Sequence, residues 1–301
     1  MRVAMYYNNN DVRLEEMPKP EIGPDELLVK VLASGICGSD VMEWYRIKKA
    51  PLVLGHEIAG DIVEVGRDVD GFNRGDRVIV SHHVPCNTCH YCLSGNHTCC
   101  ETLHTTNFYP GGFAEYLRVP PINVDRGTFL LPDEVSYEEG VFVEPLACVV
   151  RSQREAGFKP GDSVVVLGSG MSGLLHILLA KASGAGRIIA TDNNERRMQM
   201  AADLGAEAVI NAMEDVPLRV REANGGRPAD LVIVCAGALT AFQQALDCVD
   251  RGGTILCFAT TEPGVELSVP LNDFWRNAIT ILPSYANSPY DAKVALELIR
   301  S

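Results

Sequence analysis

The chain has 301 residues, 47% of them hydrophobic and 22% charged, with a formal net charge of −13. That length predicts about two domains with room for sizeable cores. The acidic balance, with no basic stripe against it, argues against a nucleic-acid partner, and the absence of a long apolar run argues against a membrane span.

The N-terminal stretch Met1–Asn8 has no apolar signal-peptide core. Ten cysteines without a secretion signal point to a reducing, cytoplasmic setting, and to metal binding rather than disulfides. Cys148, Cys235, Cys248 and Cys257 lie in apolar surroundings and read as plain buried cysteines.

In chain order, Leu27–Leu32, Gly60–Gly66 and Arg77–Val80 read as short strands between glycine- and proline-rich turns, a pattern that predicts a compact β-barrel. The texture changes after Pro145. Ser163–Leu167 is short and almost wholly apolar, as a parallel strand buried on both faces must be. Strands are predicted again at Arg187–Asp192, Glu207–Ile210, Leu231–Val234, Thr254–Phe258 and Ala278–Leu282. Helical spacing follows Gly173 and covers Glu195–Leu204. Strands alternating with helices predict a doubly wound parallel sheet, so the fold class is α/β.

Gly168-Ser169-Gly170-Met171-Ser172-Gly173 directly follows the first buried strand and opens a helix. This is G-x-G-x-x-G in the context a dinucleotide site requires: a tight turn, a close backbone approach to pyrophosphate, and a helix N-terminus aimed at the phosphates. Asp192 closes the next strand, where a carboxylate accepts both ribose hydroxyls and repels a 2′-phosphate. That favours NAD over NADP, although Arg196 and Arg197 are placed to receive a phosphate.

Cys86, Cys89 and Cys92 recur at C-x-x-C spacing, with Cys99 and Cys100 just beyond. Four thiolates make a closed structural zinc site, and spacing leaves the fourth ligand open between Cys99 and Cys100. An open site needs other donors. Cys37, His56, Glu57 and Glu144 are the residue types that suit Zn²⁺ with one position left for water or substrate, though no local spacing shows that they converge.

Cys37-Gly38-Ser39-Asp40, Gly55-His56-Glu57-Ile58-Ala59-Gly60, the cysteine lobe and Glu144-Pro145-Leu146 stand in that order ahead of the glycine motif. The whole resembles the zinc-dependent medium-chain alcohol dehydrogenases, and within them the sorbitol (L-iditol), butanediol and threonine dehydrogenase branch. The resemblance implies a GroES-like β-barrel catalytic domain over residues 1–145 that carries both zinc sites. It implies a Rossmann NAD-binding domain over 146–283, and over 284–301 the start of a C-terminal return to the catalytic domain. Members run on past the point where this sequence stops, inside a helical pattern at Ala295–Ser301, so the chain is expected to be truncated.

By motif match, Cys37 and His56 are ligands of the catalytic zinc. Glu57 and Glu144 are the carboxylates that bind it directly or through water, and Cys100 is the fourth structural ligand. Ser39 matches the proton-relay position. His83 matches a functional histidine of threonine dehydrogenases, and one member of the His82-His83 pair is expected to face the substrate, with Trp44, Tyr45 and Phe108 as candidate apolar wall. Two departures stand out. Met42 occupies a position where many relatives relay a proton through histidine, and Ser284 stands where sorbitol dehydrogenases carry arginine.

The implied activity is zinc-dependent oxidation of a secondary alcohol or polyol by NAD+ to a ketone, with two zinc ions per subunit. L-threonine 3-dehydrogenase is the alternative enzyme. A zinc- and NAD-binding module without catalysis is the alternative from another class. Thr280–Leu282 matches a strand that pairs across subunits in the family, which implies a homodimer or homotetramer.

Overall fold

Residues 1–301 are described in a computed structural model. The chain divides into two units, Met1–Cys148 with Ala286–Ser301, and Val149–Tyr285. The division falls inside the helix Val143–Glu155.

The first unit contributes eight strands: β1 (Arg2–Asn8), β2 (Asp11–Glu16), β3 (Leu27–Gly35), β4 (Leu52–Val53), β5 (Glu57–Val65), β6 (Arg77–Ser81), β7 (Tyr116–Val119) and β8 (Thr128–Leu130). They form two antiparallel sheets, in the orders β2-β1-β4 and β7-β3-β5-β6-β8, joined by a bridge between Val3 and Ala114. Leu27, Val29, Ile58, Ile62, Val78, Val80, Phe108 and Leu117 form the core of the larger sheet. Each such side chain contributes about 1.5–3 kcal/mol by leaving water. The register matters for function. Gly35 on β3 pairs with Glu57 on β5, and Glu57 pairs with Ser81 on β6. One end of β3, the start of β5 and one end of β6 therefore meet at the same edge of the sheet.

The second unit holds β9 (Ser163–Leu167), β10 (Arg187–Asp192), β11 (Ala208–Asn211), β12 (Ala229–Val234), β13 (Val249–Cys257) and β14 (Thr280–Pro283), all parallel in the order β11-β10-β9-β12-β13-β14. This is the doubly wound order, with its reversal between β9 and β12. Every residue of β9 is buried. Val165 and Leu167 pack into one core, and Val164 and Val166 into another on the opposite face. β14 starts later than the apolar pattern suggests. Ala278 terminates the helix Leu271–Asn277 in a left-handed conformation (φ +52°), so extended backbone resumes only at Thr280.

Candidate active site

The shared sheet end gathers the donors that sequence spacing left unconnected. Glu57 opens β5 opposite Gly35, where an added Cβ would stand 2.2 Å from Glu57 Oε2; glycine there gives the carboxylate its room. Cys37, two residues past that pair, caps the short turn Gly38–Val41. Its Sγ accepts from Ser39 N at 3.5 Å, and Asp40 accepts from Cys37 N at 3.1 Å. His56 immediately precedes Glu57. Cys37 Sγ, a ring nitrogen of His56 and a carboxylate oxygen of Glu57 all lie within 4.8 Å of one another. His56 Nδ1 faces Asp40 Oδ1 at 3.5 Å, which leaves Nε2 as the nitrogen free to ligate, the usual carboxylate–histidine support of a metal site. Glu57 Oε1 is buried without a hydrogen-bond partner. A thiol, an imidazole and a carboxylate with an orphaned oxygen are a donor set that fits Zn²⁺.

Glu144 lies beside this trio rather than within it. Its Oε1 accepts from Asn287 Nδ2 at 3.2 Å and from Cys148 Sγ at 3.6 Å. Burial raises the Glu144 carboxyl above its ordinary range. Burial and the charge of Glu144 push Glu57 up to about 7. For His56, burial disfavours the cation, but contacts with Asp40 and Cys37 and the charge of Glu144 outweigh it and raise the imidazole well above its ordinary value. Carboxylates that would be costly to ionise side by side mark a place for a cation.

Ser39 Oγ accepts from Arg46 Nη2 at 2.8 Å, and Arg46 Nε donates to Ser39 O at 2.9 Å. The guanidinium also approaches Asp40 Oδ1 at 3.4 Å and lies over the Tyr45 ring, 4.8 Å from its centroid. Because β6 ends at Ser81, strand alternation does not extend to His82 and His83, and their rings lie against each other, tilted by 33°, with centroids 3.8 Å apart. The His82 ring stands 4.7 Å from that of His56. Burial drives His82 well below its ordinary value and His83 to about 4, so both are neutral near pH 7. Phe108 is a core residue, buried to 2% exposure.

In the cysteine lobe, Cys86, Cys89, Cys92 and Cys100 cluster, while Cys99 is exposed and outside the group. The Sγ–Sγ distances are 4.0 Å for Cys86–Cys92, 3.5 Å for Cys89–Cys92 and 3.6 Å for Cys86–Cys100. A zinc tetrahedron with Zn–S near 2.3 Å has edges of about 3.8 Å, so the sulfurs already stand at ligand spacing. Hydrogen bonds from Thr88 and Cys89 pull the Cys86 thiol down to about 5. A zinc held by all four sulfurs would have no position left for substrate.

In the second unit, Gly168 turns off β9 at φ +99°, and the helix Met171–Ala182 begins behind Gly170 with no side chain capping it. A Cβ at Gly170 would meet no atom within 4 Å, whereas one at Gly173 would stand 2.0 Å from Gly168 O. Gly170 therefore faces open space and Gly173 is a packing requirement. Met171 and Ser172 occupy the first helical turn. Asp192 accepts from Ser169 N and Asn194 N, at 2.9 Å each, and Arg197 Nη1 lies 3.9 Å away. Each Asp192 oxygen keeps a lone pair for a further donor.

From the sequence, Arg46 and Asn287 are not assigned, His82 is named only as one of a pair, and Cys148 is taken for a plain buried cysteine. Arg46 and Asn287 carry no local motif. Cys148 is only partly buried, and it touches Glu144 rather than apolar atoms alone.

Residues 23–129 match the alcohol dehydrogenase GroES-like domain, and residues 173–301 match the zinc-binding dehydrogenase domain. The sorbitol dehydrogenase of Bacillus subtilis is 35% identical over 90% of this chain and 78% of its own length. The structure of 2R,3R-butanediol dehydrogenase from Bacillus subtilis aligns with a TM-score of 0.84 at 30% identity, covering 99% of this chain and 88% of that one. A zinc-binding dehydrogenase structure from Sinorhizobium meliloti, bound to NADP, aligns with a TM-score of 0.87 at 28% identity, covering 99% of this chain and 87% of that one.

Proposed function

The chain belongs to the zinc-binding alcohol dehydrogenase family, and we propose that it oxidises the secondary alcohol of a polyol or diol to a ketone with NAD+ as hydride acceptor. The observation that carries this reading is the sheet-end trio of Cys37, His56 and Glu57, with its orphaned buried oxygen. In this reading the trio holds the catalytic zinc and Glu144 stands beside it as a further carboxylate. Cys86, Cys89, Cys92 and Cys100 hold the structural zinc.

The metal supplies a Lewis acid that lowers the pKa of an alcohol hydroxyl, and NAD+ supplies the hydride acceptor. Ser39 handles the proton. Its Oγ accepts from Arg46, retains a lone pair for an incoming proton, and keeps its own hydrogen to pass on. The adjacent guanidinium stabilises negative charge on that oxygen as the transfer proceeds. Met42 bears no proton, so the relay does not continue through that position. His83 lies on the substrate side in this reading; neutral through burial, it offers a hydrogen bond rather than a charge. Gly168 makes the turn and Gly173 packs helix on strand, so that Gly170, with Met171 and Ser172 on the helix start, receives the pyrophosphate, and Asp192 receives the adenosine ribose. Arg197, drawn towards Asp192, is less available to a 2′-phosphate.

L-Threonine as substrate rests on His83 alone, whereas sorbitol and butanediol dehydrogenases are among the matched relatives. NADH formation from sorbitol, xylitol, butanediol and L-threonine, before and after chelation, tests the reading. Chelator-sensitive turnover of a polyol or diol is expected. Turnover that survives loss of zinc, or turnover of threonine alone, would overturn it.

A homodimer or homotetramer fits the exposed edge strand β14, flanked by Leu271 and Trp275 at 78% and 79% exposure. Light scattering in solution checks it. All ten cysteines are free, which fits a cytoplasmic setting. A net charge of −13 supports no nucleic-acid partner, and no helix is long and apolar enough to cross a membrane.

A further inference from the structure

Two consecutive residues of the returning C-terminal segment touch the cysteine lobe and the carboxylate beside the open site. Ala286 packs, as Cys86 and Cys89 do, against the buried cluster of Cys92, Cys100 and Leu103. Asn287, at 4% exposure, points its Nδ2 at Glu144 Oε1 (3.2 Å), Glu144 O (3.5 Å) and Cys148 Sγ (3.4 Å). Nδ2 carries two hydrogens for three acceptors, and the carboxylate is the nearest and most basic of them.

The backbone around this pair is fixed from both sides. Ala286 adopts φ +54°, a left-handed conformation that is costly for a residue with a Cβ and is kept only where the surroundings enforce it. Here its partly buried side chain packs against the lobe. On the other side, Ser288 caps the helix Pro289–Arg300 in a reciprocal capping box with Asp291, whose carboxylate accepts from Ser288 N at 3.0 Å and from Ser288 Oγ at 2.6 Å. Asn287 is thus held in place by the lobe before it and the capped helix after it.

A buried carboxylate is acceptor-only and turns towards whatever donors it is given. Without Nδ2, Glu144 Oε1 would keep the weaker thiol donor of Cys148, one helical turn away. We propose that Asn287 is a positioning residue for the open metal site. It aims the Glu144 carboxylate beside the Cys37–His56–Glu57 trio and ties that aim to the cysteine lobe through Ala286. The proposal rests on the zinc reading given above. Outer partners of metal ligands typically govern metal affinity by about 10–100-fold; with Glu144 counted as the further carboxylate of the zinc site, that range sets the upper size of effect to expect.

The test is zinc release from the holoenzyme to a chromogenic chelator, followed in time. Two phases are expected, a faster one from the open three-ligand site and a slower one from the four-thiolate lobe. Asn287→Ala and Asn287→Leu both remove the donor, and the leucine keeps most of the volume. Both should accelerate the faster phase, by up to about 10–100-fold, and leave the slower one unchanged. Both should also alter the visible spectrum of Co²⁺ placed in the open site. An unchanged faster phase would overturn the proposal. So would equal acceleration of both phases in the leucine variant, which marks general loosening of the fold. Cys37→Ser should abolish the faster phase whatever Asn287 does. If it does not, the metal assignment fails, separately from the role of Asn287.

Discussion

Alanine at position 173 probes the nucleotide site through sterics alone. Its Cβ would stand 2.0 Å from Gly168 O and 3.0 Å from Gly168 C. Ordinary non-bonded contacts relax near about 3.5 Å, so turn and helix must part by roughly 1.5 Å. The turn cannot yield by itself. Gly168 N donates to Thr191 O at 3.0 Å, Ser169 N to Asp192 Oδ2 at 2.9 Å and Ser169 Oγ to Thr191 O at 3.1 Å. The helix start moves instead, and its N–H groups shift relative to Asp192, the two anchor points proposed for the dinucleotide. Overpacking of this kind costs about 1–3 kcal/mol. Levied on binding, that is roughly a 5- to 150-fold rise in the Kd for NAD. Calorimetric titration with NAD measures it, and zinc content is the control, since both proposed zinc sites lie in the other unit. A variant with full zinc that binds NAD as tightly as the parent would refute the reasoning.

Cys100→Ser is expected to lose one zinc per chain and Cys99→Ser none; metal analysis showing the reverse would reassign the fourth ligand. Asp192→Ala should shift the ratio of kcat/KM for NAD over NADP towards NADP by at least about tenfold, worth about 1.4 kcal/mol, as the carboxylate is removed and Arg197 released. An unchanged ratio would remove Asp192 from cofactor selection. His176 is fully buried, with Nδ1 against Gln153 Nε2 at 3.1 Å, and burial lowers its pKa from 6.5 to about 3. The unfolded chain therefore takes up this proton as pH falls through 6.5, while the folded chain does not take it up until near 3. Stability is lost across that window, by about 2 kcal/mol at pH 5 relative to neutral pH. His176→Leu should flatten this part of the profile in denaturant unfolding at the two pH values, and an identical loss in both proteins would contradict it.

The sheet of the second unit was legible because its strands are short, β-branched and buried on both faces. Ser163–Leu167 and the glycines behind it state both strand and turn within a dozen residues. The four-cysteine lobe is similarly local, apart from the choice between Cys99 and Cys100, which depends on which way one short turn rolls. The open site is different. Cys37 and Glu57 meet because Gly35 pairs with Glu57 across β3 and β5, a register fixed by long-range strand pairing. The glycine that makes room for Glu57 looks like any other glycine in the sequence. Arg46 reaches Ser39 by folding back over a short turn, and Asn287 reaches Glu144 across the whole second unit. Neither partnership has a periodicity or spacing from which it could be read.

That last contact gives the protein a timetable. The first unit also takes in Ala286–Ser301, which emerge after all of Val149–Tyr285. Chains are made from the N-terminus and their domains generally fold as units. All four lobe sulfurs are in place once Cys100 has emerged, long before Asn287 exists. A growing chain would thus be able to take up its closed zinc early, while the carboxylate beside its open site waits for a donor that arrives only after the second unit.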